Sequence, residues 1–340
     1  MATNTSTTSE VVVITGASAG VGRAIVRAFA QRGASIGLLA RGEAGLEGAK
    51  HDVEELGGRA IAIPTDVADP QQVEAAAEKV EQTFGHIDIW VNVAMASVFA
   101  PFKEMDAQDF KRVTEVTYLG QVYGTMSALK RMLPRDKGRI ILIGSALAYV
   151  GIPLQSAYCG GKHGIKGFFQ SLRTELMHDK SNVKISMIQL PAVNTPQFSW
   201  VKSKLPNKAQ PVPPIYEPEI IAGAVTYVAD HYRREMYLGF STIKAIWGNR
   251  VAPWYVDSYL ARTGYKSQQT NQKADPNRPN NLYHPADDKE DHGAHGSFDN
   301  RSITFSPQVW ADKRIGLLAI AGAALMSLLL LAVGKRATNH

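Results

Sequence analysis

Ser145, Tyr158 and Lys162 are three side chains that together can move a proton on or off a substrate oxygen. Tyr158 precedes Lys162 by four residues, which is one turn of a helix, so the two side chains can share a face. A phenol with a pKa near 10 is a poor base at neutral pH unless a positive charge stabilises its ionised form. Lys162 can supply that charge, and Ser145 can donate a hydrogen bond to the reacting oxygen. Spacing alone does not distinguish this device from two neighbours on a helix surface.

A glycine-rich turn follows the first apolar run of the chain. The run VVVITG, residues 11–16, leads into TGASAGVG, residues 15–22, and a helix is expected to begin near Gly20. Gly16, Gly20 and Gly22 permit a tight turn and let the backbone approach a pyrophosphate. Free N–H groups and the positive end of the helix dipole then hold the phosphates. Between a first strand and a first helix, such a turn predicts a dinucleotide site.

Up to about Thr263 the chain alternates short β-branched runs with longer amphipathic segments. Buried strands are expected at 11–16, 35–40, 60–66, 87–93, 139–145 and 183–190, with a short strand near 236–240. Helices are expected near 20–32, 43–57, 70–84, 106–133, 157–179 and 218–231. This order predicts an α/β fold in which a doubly wound parallel sheet carries helices on both faces and binds ligands at the carboxyl ends of its strands.

Arg41 follows the second expected strand, 19 residues after Gly22. At this position an acidic residue would bind a ribose 2′-hydroxyl, whereas an arginine would accept a 2′-phosphate. The nearest acid, Glu43, lies at an expected helix start, where carboxylates are ordinary caps. We therefore favour NADP(H) over NAD(H), with a solvated loop charge as the alternative interpretation of Arg41.

These motifs resemble those of the short-chain dehydrogenase/reductase family in order and distance. The glycine spacing is followed by Asp66-Val67 after the third strand, by Ser145 at the end of the fifth, and by Tyr158-xxx-Lys162 thirteen residues later. The resemblance covers roughly residues 10–240 and implies a Rossmann fold, a nicotinamide cofactor and a Ser-Tyr-Lys site. It implies that Tyr158 is the acid/base, that Lys162 tunes it and contacts the nicotinamide ribose, and that Ser145 holds the substrate oxygen.

The resemblance also implies where the cofactor lies. Asp66 and Val67 would contact the adenine, and Val193 and Thr195 of the segment PAVNT would hold the nicotinamide carboxamide. The further contacts that it implies are Ser18 and Val21 in the turn, with Asn92 and Ala94 after the fourth strand.

Two segments depart from the family pattern, and in the first of them, Asn92-Val93-Ala94-Met95, the family usually has Asn-Asn-Ala-Gly. Met95 stands where the family has a glycine, which narrows the floor beside the nicotinamide ribose. Thr117 stands where the family commonly has an asparagine that helps to hold a water of the proton relay. A backbone carbonyl at Thr117 can still bind that water, so we keep Thr117 among the candidate catalytic residues.

The favoured function is an NADP(H)-dependent oxidoreductase that interconverts a carbonyl and a secondary alcohol. The alternative is a membrane-anchored NADP(H)-binding or sensing module with little turnover, which the departures at Met95 and Thr117 favour. A sugar-nucleotide epimerase or dehydratase on a related fold is a minor third reading. Cofactor titration separates the first two, because a sensor would bind NADPH without carbonyl-dependent oxidation.

The two ends of the chain differ from its middle. Residues 1–9 are expected to be flexible, residues 10–264 to form the oxidoreductase domain, and residues 265–312 to be a polar disordered linker. Residues 315–333 carry no charge and are flanked by basic pairs, so 313–336 is expected to be a transmembrane helix with its flanks, followed by a tail at 337–340. A buried terminal helix is the alternative.

The expected partners follow from these ends and from composition. We expect the lipid bilayer as a partner through 315–333, and a catalytic domain on the cytoplasmic side, because no secretory signal is visible and the chain has one cysteine. Neither a nucleic-acid module nor a metal site is expected, despite the net charge of +6, and a homodimer through the helices near 106–133 and 157–179 is implied by the family.

Residues 196–216 follow the sixth strand, where the family places a mobile substrate lid. Phe198, Trp200 and Leu205 can give this lid an apolar face, and Trp247 and Trp254 lie in a further amphipathic stretch. Plain core packing is the competing explanation for these aromatics. A bilayer anchor beside an apolar lid favours a lipophilic ketone or alcohol as substrate.

Overall fold

The computed structural model describes residues 9–275 and 277–316, which contain a seven-stranded parallel sheet with helices on both faces. The strands, numbered along the chain, are β1 Val11–Thr15, β2 Ser35–Ala40, β3 Arg59–Pro64, β4 Ile89–Asn92, β5 Val98–Phe99, β6 Arg139–Ile143, β7 Lys184–Gln189, β8 Ala192–Val193, β9 Lys202–Ser203, β10 Asn207–Ala209, β11 Ile215–Tyr216, β12 Glu235–Tyr237, β13 Gln269–Lys273 and β14 Ser302–Ile303. The helices are α1 Gly20–Ala30, α2 Glu43–Glu55, α3 Pro70–Phe84, α4 Ala107–Thr114, α5 Gly120–Met132, α6 Ser156–His178, α7 Gln197–Trp200, α8 Pro218–Asp230, α9 Phe240–Val251, α10 Pro253–Ser267 and α11 Pro307–Asp312.

The main sheet has the strand order β12-β7-β6-β4-β1-β2-β3. Every neighbouring pair in it is parallel, so the expected doubly wound α/β fold is confirmed. The order runs outward from β1 in one direction through β2 and in the other through β4. A cleft therefore opens between the carboxyl ends of β1 and β4, which is where ligands bind in such sheets.

Two apolar layers hold the sheet. One layer joins the sheet to α1, α2 and α8, and includes the fully buried Phe29 and Val225. The other joins it to α3, α5 and α6, and includes Trp90 and Phe169. Between α4 and α5, Glu115–Leu119 form a π-helical turn, so the single helix expected over 106–133 is interrupted. Such turns are frequent at functional sites.

The expectation of a disordered linker over 265–312 is wrong for the described residues of that segment. Helix α10 continues to Ser267, β13 pairs with β10, and β14 pairs with β11. The segment has no helical or strand period because separate anchors hold it, rather than one continuous apolar face. Leu282, Ala294 and Phe298 are each buried at a different place on the domain.

Among residues 9–275 and 277–316, no helix has the length and apolar composition needed to cross a bilayer. The apolar segment 315–333 lies outside the described residues from 317 onward, as do residues 1–8 and the tail. Its crossing of a membrane stays a prediction.

Candidate active site

The glycine-rich turn between β1 and α1 is formed by close backbone approach. Gly16 has φ +66°, and a Cβ on it would lie 2.9 Å from Cα of Ala94 in the strand-end segment beside it. A Cβ on Gly22 would lie 1.9 Å from the carbonyl oxygen of Gly16, so no side chain fits there. Thr15 fixes the turn to β4, because its Oγ1 accepts hydrogen bonds from the N–H groups of Val93 at 3.0 Å and Ala94 at 3.2 Å.

Ser145 lies just beyond the carboxyl end of β6 and is buried. Its backbone N–H donates to Oε1 of Gln189 at 2.8 Å, and its own Oγ accepts from the N–H of Leu147 at 3.1 Å. Gln189 in turn donates through Nε2 to Glu235 at 2.6 Å. Sequence reasoning missed Gln189 and Glu235, and their positions on adjacent sheet strands were the only available signal.

Tyr158 and Lys162 lie one turn apart near the N-terminus of α6. The Lys162 Nζ atom is 5.4 Å from the centre of the Tyr158 ring and donates a 2.7 Å hydrogen bond to the carbonyl of Ile143 on β6. Burial raises the pKa of Tyr158 above its ordinary value, and the neighbouring Ser145 hydroxyl opposes that rise. Burial lowers the pKa of Lys162 to about 7. The structure therefore brings together three of the four predicted catalytic residues, Ser145, Tyr158 and Lys162.

One cavity of about 860 Å³ runs along the carboxyl edge of the sheet. Fourteen of the predicted site residues line it: Gly16, Ser18, Gly20, Val21, Gly22, Arg41, Asp66, Val67, Ala94, Ser145, Tyr158, Lys162, Val193 and Thr195. The glycine turn and the Ser-Tyr-Lys group thus face the same space. Apolar side chains close the part of the wall beyond Tyr158, among them Phe99, Ile152, Phe198 and Val212.

Asn92 and Thr117 are the two predicted site residues whose side chains are turned away from this cavity. The Asn92 side chain accepts from Nε1 of Trp90 at 3.0 Å and donates to Thr125 at 3.2 Å, so it ties β4 to α5. Thr117 lies in the π-helical turn, where its hydroxyl donates to the carbonyl of Ala96 at 2.8 Å and accepts from the Ala96 N–H at 3.0 Å. Both side chains satisfy buried backbone or side-chain groups, so the Asn92 side chain does not face a ligand as expected. The water contact expected of the Thr117 backbone carbonyl stays a prediction.

The end of the cavity near Arg41 is covered by residues 281–296, named here the C-terminal strap. The Arg41 guanidinium donates to the carbonyl of Tyr283 at 3.1 Å and to that of Leu282 at 3.3 Å, and also to that of Asn281. Burial lowers the pKa of Arg41, and the nearby Arg112 acts in the same direction. The strap's contribution to the cavity wall could not be seen in the sequence, because its acidic run resembles a solvated linker.

Asp66 also has a protein partner. Its carboxylate pairs with the Arg112 guanidinium at 2.5 Å and accepts from the N–H of Ala68 at 3.1 Å. Arg112 in addition donates to the carbonyl of Leu282 in the strap, at 3.2 Å. Arg41, Arg112 and Asp66 therefore form one charged group at the strap end of the cavity.

The model of the short chain dehydrogenase family matches residues 10–205, more than half of the chain. The chain belongs to this family of oxidoreductases. Over 321 residues it is 32% identical to an uncharacterized oxidoreductase, YxnA, of Bacillus subtilis, and the match covers 92% of this chain and 90% of that protein. It is 33% identical over 193 residues to 3-dehydrosphinganine reductase of Danio rerio, which is 55% of this chain and 58% of that protein.

A solved structure has the same fold. An alcohol dehydrogenase from the archaeon Thermococcus sibiricus, complexed with 5-hydroxy-NADP, is similar with a TM-score of 0.58 and 28% sequence identity. The similarity covers 67% of this short-chain dehydrogenase and 95% of that chain.

Proposed function

We propose that this short-chain dehydrogenase is an NADP(H)-dependent oxidoreductase that interconverts a carbonyl and a secondary alcohol. One observation carries the proposal: Ser145, Tyr158 and Lys162 line the same cavity as the glycine turn between β1 and α1. A nucleotide whose phosphates lie on that turn can reach the three side chains without leaving the cavity.

The side chains divide the proton chemistry among them. When bound, a nicotinamide supplies or accepts the hydride. In the reductive direction the Tyr158 hydroxyl donates its proton to the substrate oxygen, and the Ser145 hydroxyl holds that oxygen by a hydrogen bond. Proton donation leaves Tyr158 as a phenolate. Lys162, one helical turn away, stabilises this phenolate when the Lys162 ammonium group is charged. Gln189 positions Ser145, since it accepts the hydrogen bond from the Ser145 N–H.

The preference for the phosphorylated cofactor rests on Arg41 after β2. Arg41 lines the cavity, and the Arg112 guanidinium bonds to the carboxylate of Asp66, which lines it as well. The archaeal alcohol dehydrogenase of similar fold is complexed with a 5-hydroxy derivative of NADP, which supports a nicotinamide dinucleotide at the corresponding cleft.

The Tyr158→Phe variant tests the assignment. With the Tyr158 hydroxyl removed, carbonyl-dependent NADPH oxidation should fall by roughly 10²–10⁴-fold, while NADPH binding persists. Tyr227→Phe is the matched control, because Tyr227 lies on α8 and its hydroxyl contacts Arg233 outside the cavity. Wild-type turnover by Tyr158→Phe on any accepted carbonyl would contradict the proposed role.

We also propose a lipophilic substrate. The lid residues Phe198 and Trp200 and the helix residues Val251 and Tyr255 line the cavity. Next to its mouth, Trp254 on α10 is 71% exposed, so a core role does not explain it. A relative acts, by its name, as a 3-dehydrosphinganine reductase. Turnover of a short and a long alkan-2-one, compared in detergent, tests the idea, and a preference for the short ketone would count against it.

We further propose that residues 315–333 anchor the protein in a membrane with the catalytic domain on the cytoplasmic side. The support for the anchor is the uncharged segment itself with a basic pair on each side of it. The presence of a single cysteine supports the cytoplasmic side. The full chain should stay with membranes through an alkaline carbonate wash. The double variant Leu325→Arg/Leu328→Arg should be released, whereas Phe305→Arg, an exposed position outside the segment, should not. Release of the wild-type chain would refute the anchor.

A homodimer through α5 and α6 belongs to the same proposal. Met126 on α5 and Met177 on α6 support it, since both large apolar side chains are exposed in the part of the chain that the structure describes. Analytical ultracentrifugation of the detergent-solubilised chain measures its oligomeric state. Met126→Glu should shift the equilibrium from dimer toward monomer. A wild-type monomer at micromolar concentration would contradict it.

A binding or sensing module is the second candidate function. The contact of the Thr117 hydroxyl with the Ala96 backbone favours it, because that hydroxyl is already used and does not line the cavity. A sensor would bind NADPH, as seen by a fluorescence titration, and would oxidise none with any carbonyl of a broad panel. Turnover on one carbonyl excludes this second candidate.

A further inference from the structure

We propose that Asp287 of the C-terminal strap occupies the place of the 2′-phosphate of NADP(H). The closed strap then favours a cofactor with a free 2′-hydroxyl, and NADP(H) must displace it. The inference rests on the proposed nicotinamide-dependent function and adds a residue that determines cofactor specificity. It concerns a part of the chain far from the family's sequence motifs.

The Asp287 carboxylate lies in the groove between β2 and α2 that follows Arg41. An added Cβ on Gly42 would meet Oδ1 of Asp287 at 2.1 Å, and one on Gly45 would meet Oδ2 at 2.5 Å. Two glycines of α2 and its N-cap therefore make room for this one carboxylate. Beside it, Ser18 of the phosphate-binding turn has its Cβ 2.9 Å from the same point over Gly45.

Asp287 faces the cavity and not the solvent. It is 7% exposed and lines the cavity together with Arg41 and Ser18. A 2′-phosphate is recognised at the end of β2, by an arginine there. The carboxylate is thus a negative group placed where the negative group of the cofactor is expected.

The strap also takes up the arginine that would bind the 2′-phosphate. The Arg41 guanidinium donates to the carbonyls of Asn281, Leu282 and Tyr283. In the closed arrangement a 2′-phosphate would therefore be repelled by the Asp287 carboxylate. It would also find the Arg41 guanidinium already hydrogen-bonded to the strap carbonyls. A ribose 2′-hydroxyl, in contrast, can donate to the carboxylate.

Further contacts fasten the strap across the cleft. Asp291 pairs with Arg23 on α1 through two hydrogen bonds of 3.0 and 3.1 Å. The Gly20 N–H donates to the carbonyl of Gly293 at 3.0 Å, and the Gly45 N–H donates to the carbonyl of Asp287 at 3.0 Å. The Gly20 N–H belongs to the phosphate-binding end of α1. Displacement of the strap would thus free a second anion donor as well as Arg41.

The test compares the dissociation constants of NADPH and NADH for the full chain and for two variants. Asp287→Asn removes one charge and keeps the size of the side chain. Asp288→Asn is the matched control, because Asp288 is the exposed neighbour of Asp287 and the substitution changes the net charge by the same amount. Removing a like charge beside the phosphate should strengthen NADPH binding by about tenfold. NADH binding should change by less than about threefold, and Asp288→Asn should change neither.

Two results would overturn the inference. The first is an Asp287→Asn variant that binds NADPH no more tightly than Asp288→Asn does. The second is hydrogen exchange of the strap amides that is equally fast with saturating NADPH and saturating NADH, because the inference requires NADPH to open the strap. Binding of neither cofactor by any form would instead contradict the proposed oxidoreductase function itself.

Discussion

Gly45→Ala in α2 should destabilise the protein, although alanine is the better helix former. In an open helix the change from glycine stabilises by up to about 1 kcal/mol. At Gly45, however, the new Cβ would lie 2.5 Å from the Asp287 carboxylate and 2.9 Å from the Ser18 Cβ. Forcing apart such packed groups costs about 1–3 kcal/mol, so a net loss near 1 kcal/mol is expected.

Gly167→Ala in α6 is the matched control, because a Cβ there meets nothing within 4 Å. This variant should gain about 0.5–1 kcal/mol, so the two alanine variants should differ by about 2 kcal/mol and in sign. Urea unfolding at one protein concentration gives both free energies of unfolding. If Gly45→Ala stabilised the chain as much as Gly167→Ala, the strap would not lie on α2 as described.

Two further predictions concern pH. Burial opposes the ionised form of Glu74, but hydrogen bonds from groups led by Arg131 lower its pKa to about 2. Because the pKa is lowered, ionised Glu74 stabilises the fold above the unfolded value of 4.5, and this stabilisation is lost as pH falls toward 2. Glu74→Gln should therefore lower the free energy of unfolding at pH 7 by about 1–3 kcal/mol and make the acid transition flatter. An unchanged acid transition would refute the ion pair. For His295, burial disfavours the charged form, yet the hydrogen bond with Glu219 raises its pKa. The wild-type protein should thus have a higher Tm than His295→Asn below pH 6.5, and this advantage should shrink as pH rises through the raised pKa. The exposed His284→Asn is the matched control. A Tm difference between wild type and His295→Asn that does not depend on pH would contradict this.

The parts of the molecule that follow local rules could be predicted from the sequence. β-branched runs marked the strands of the main sheet, and the spacing of Gly16, Gly20 and Gly22 marked the turn, because a Cβ has no room there. Tyr158 and Lys162 share a helix, so their separation already determined that they meet. To predict the position of Ser145, it was enough to locate the end of one expected strand.

What could not be predicted depends on partners distant in the sequence. Asn92 and Thr117 occupied expected positions, but their side chains bond to Trp90 and Ala96 instead of facing the cavity. No local pattern reports which of several polar groups a buried amide will choose. The strap is the larger case: Asp287 reaches Gly42 across more than two hundred residues, and its acidic surroundings carry no period.

The most direct test of the proposed chemistry follows hydride from cofactor to substrate. The full chain would be incubated with NADPH deuterated at the nicotinamide C4 and a panel of short and long carbonyls, and the alcohols analysed by mass spectrometry. We expect deuterium on the carbinol carbon of at least one product, and its loss with Tyr158→Phe while NADPH binding is retained. Bound cofactor with no deuterium in any alcohol would contradict the account and leave the sensing module as the function.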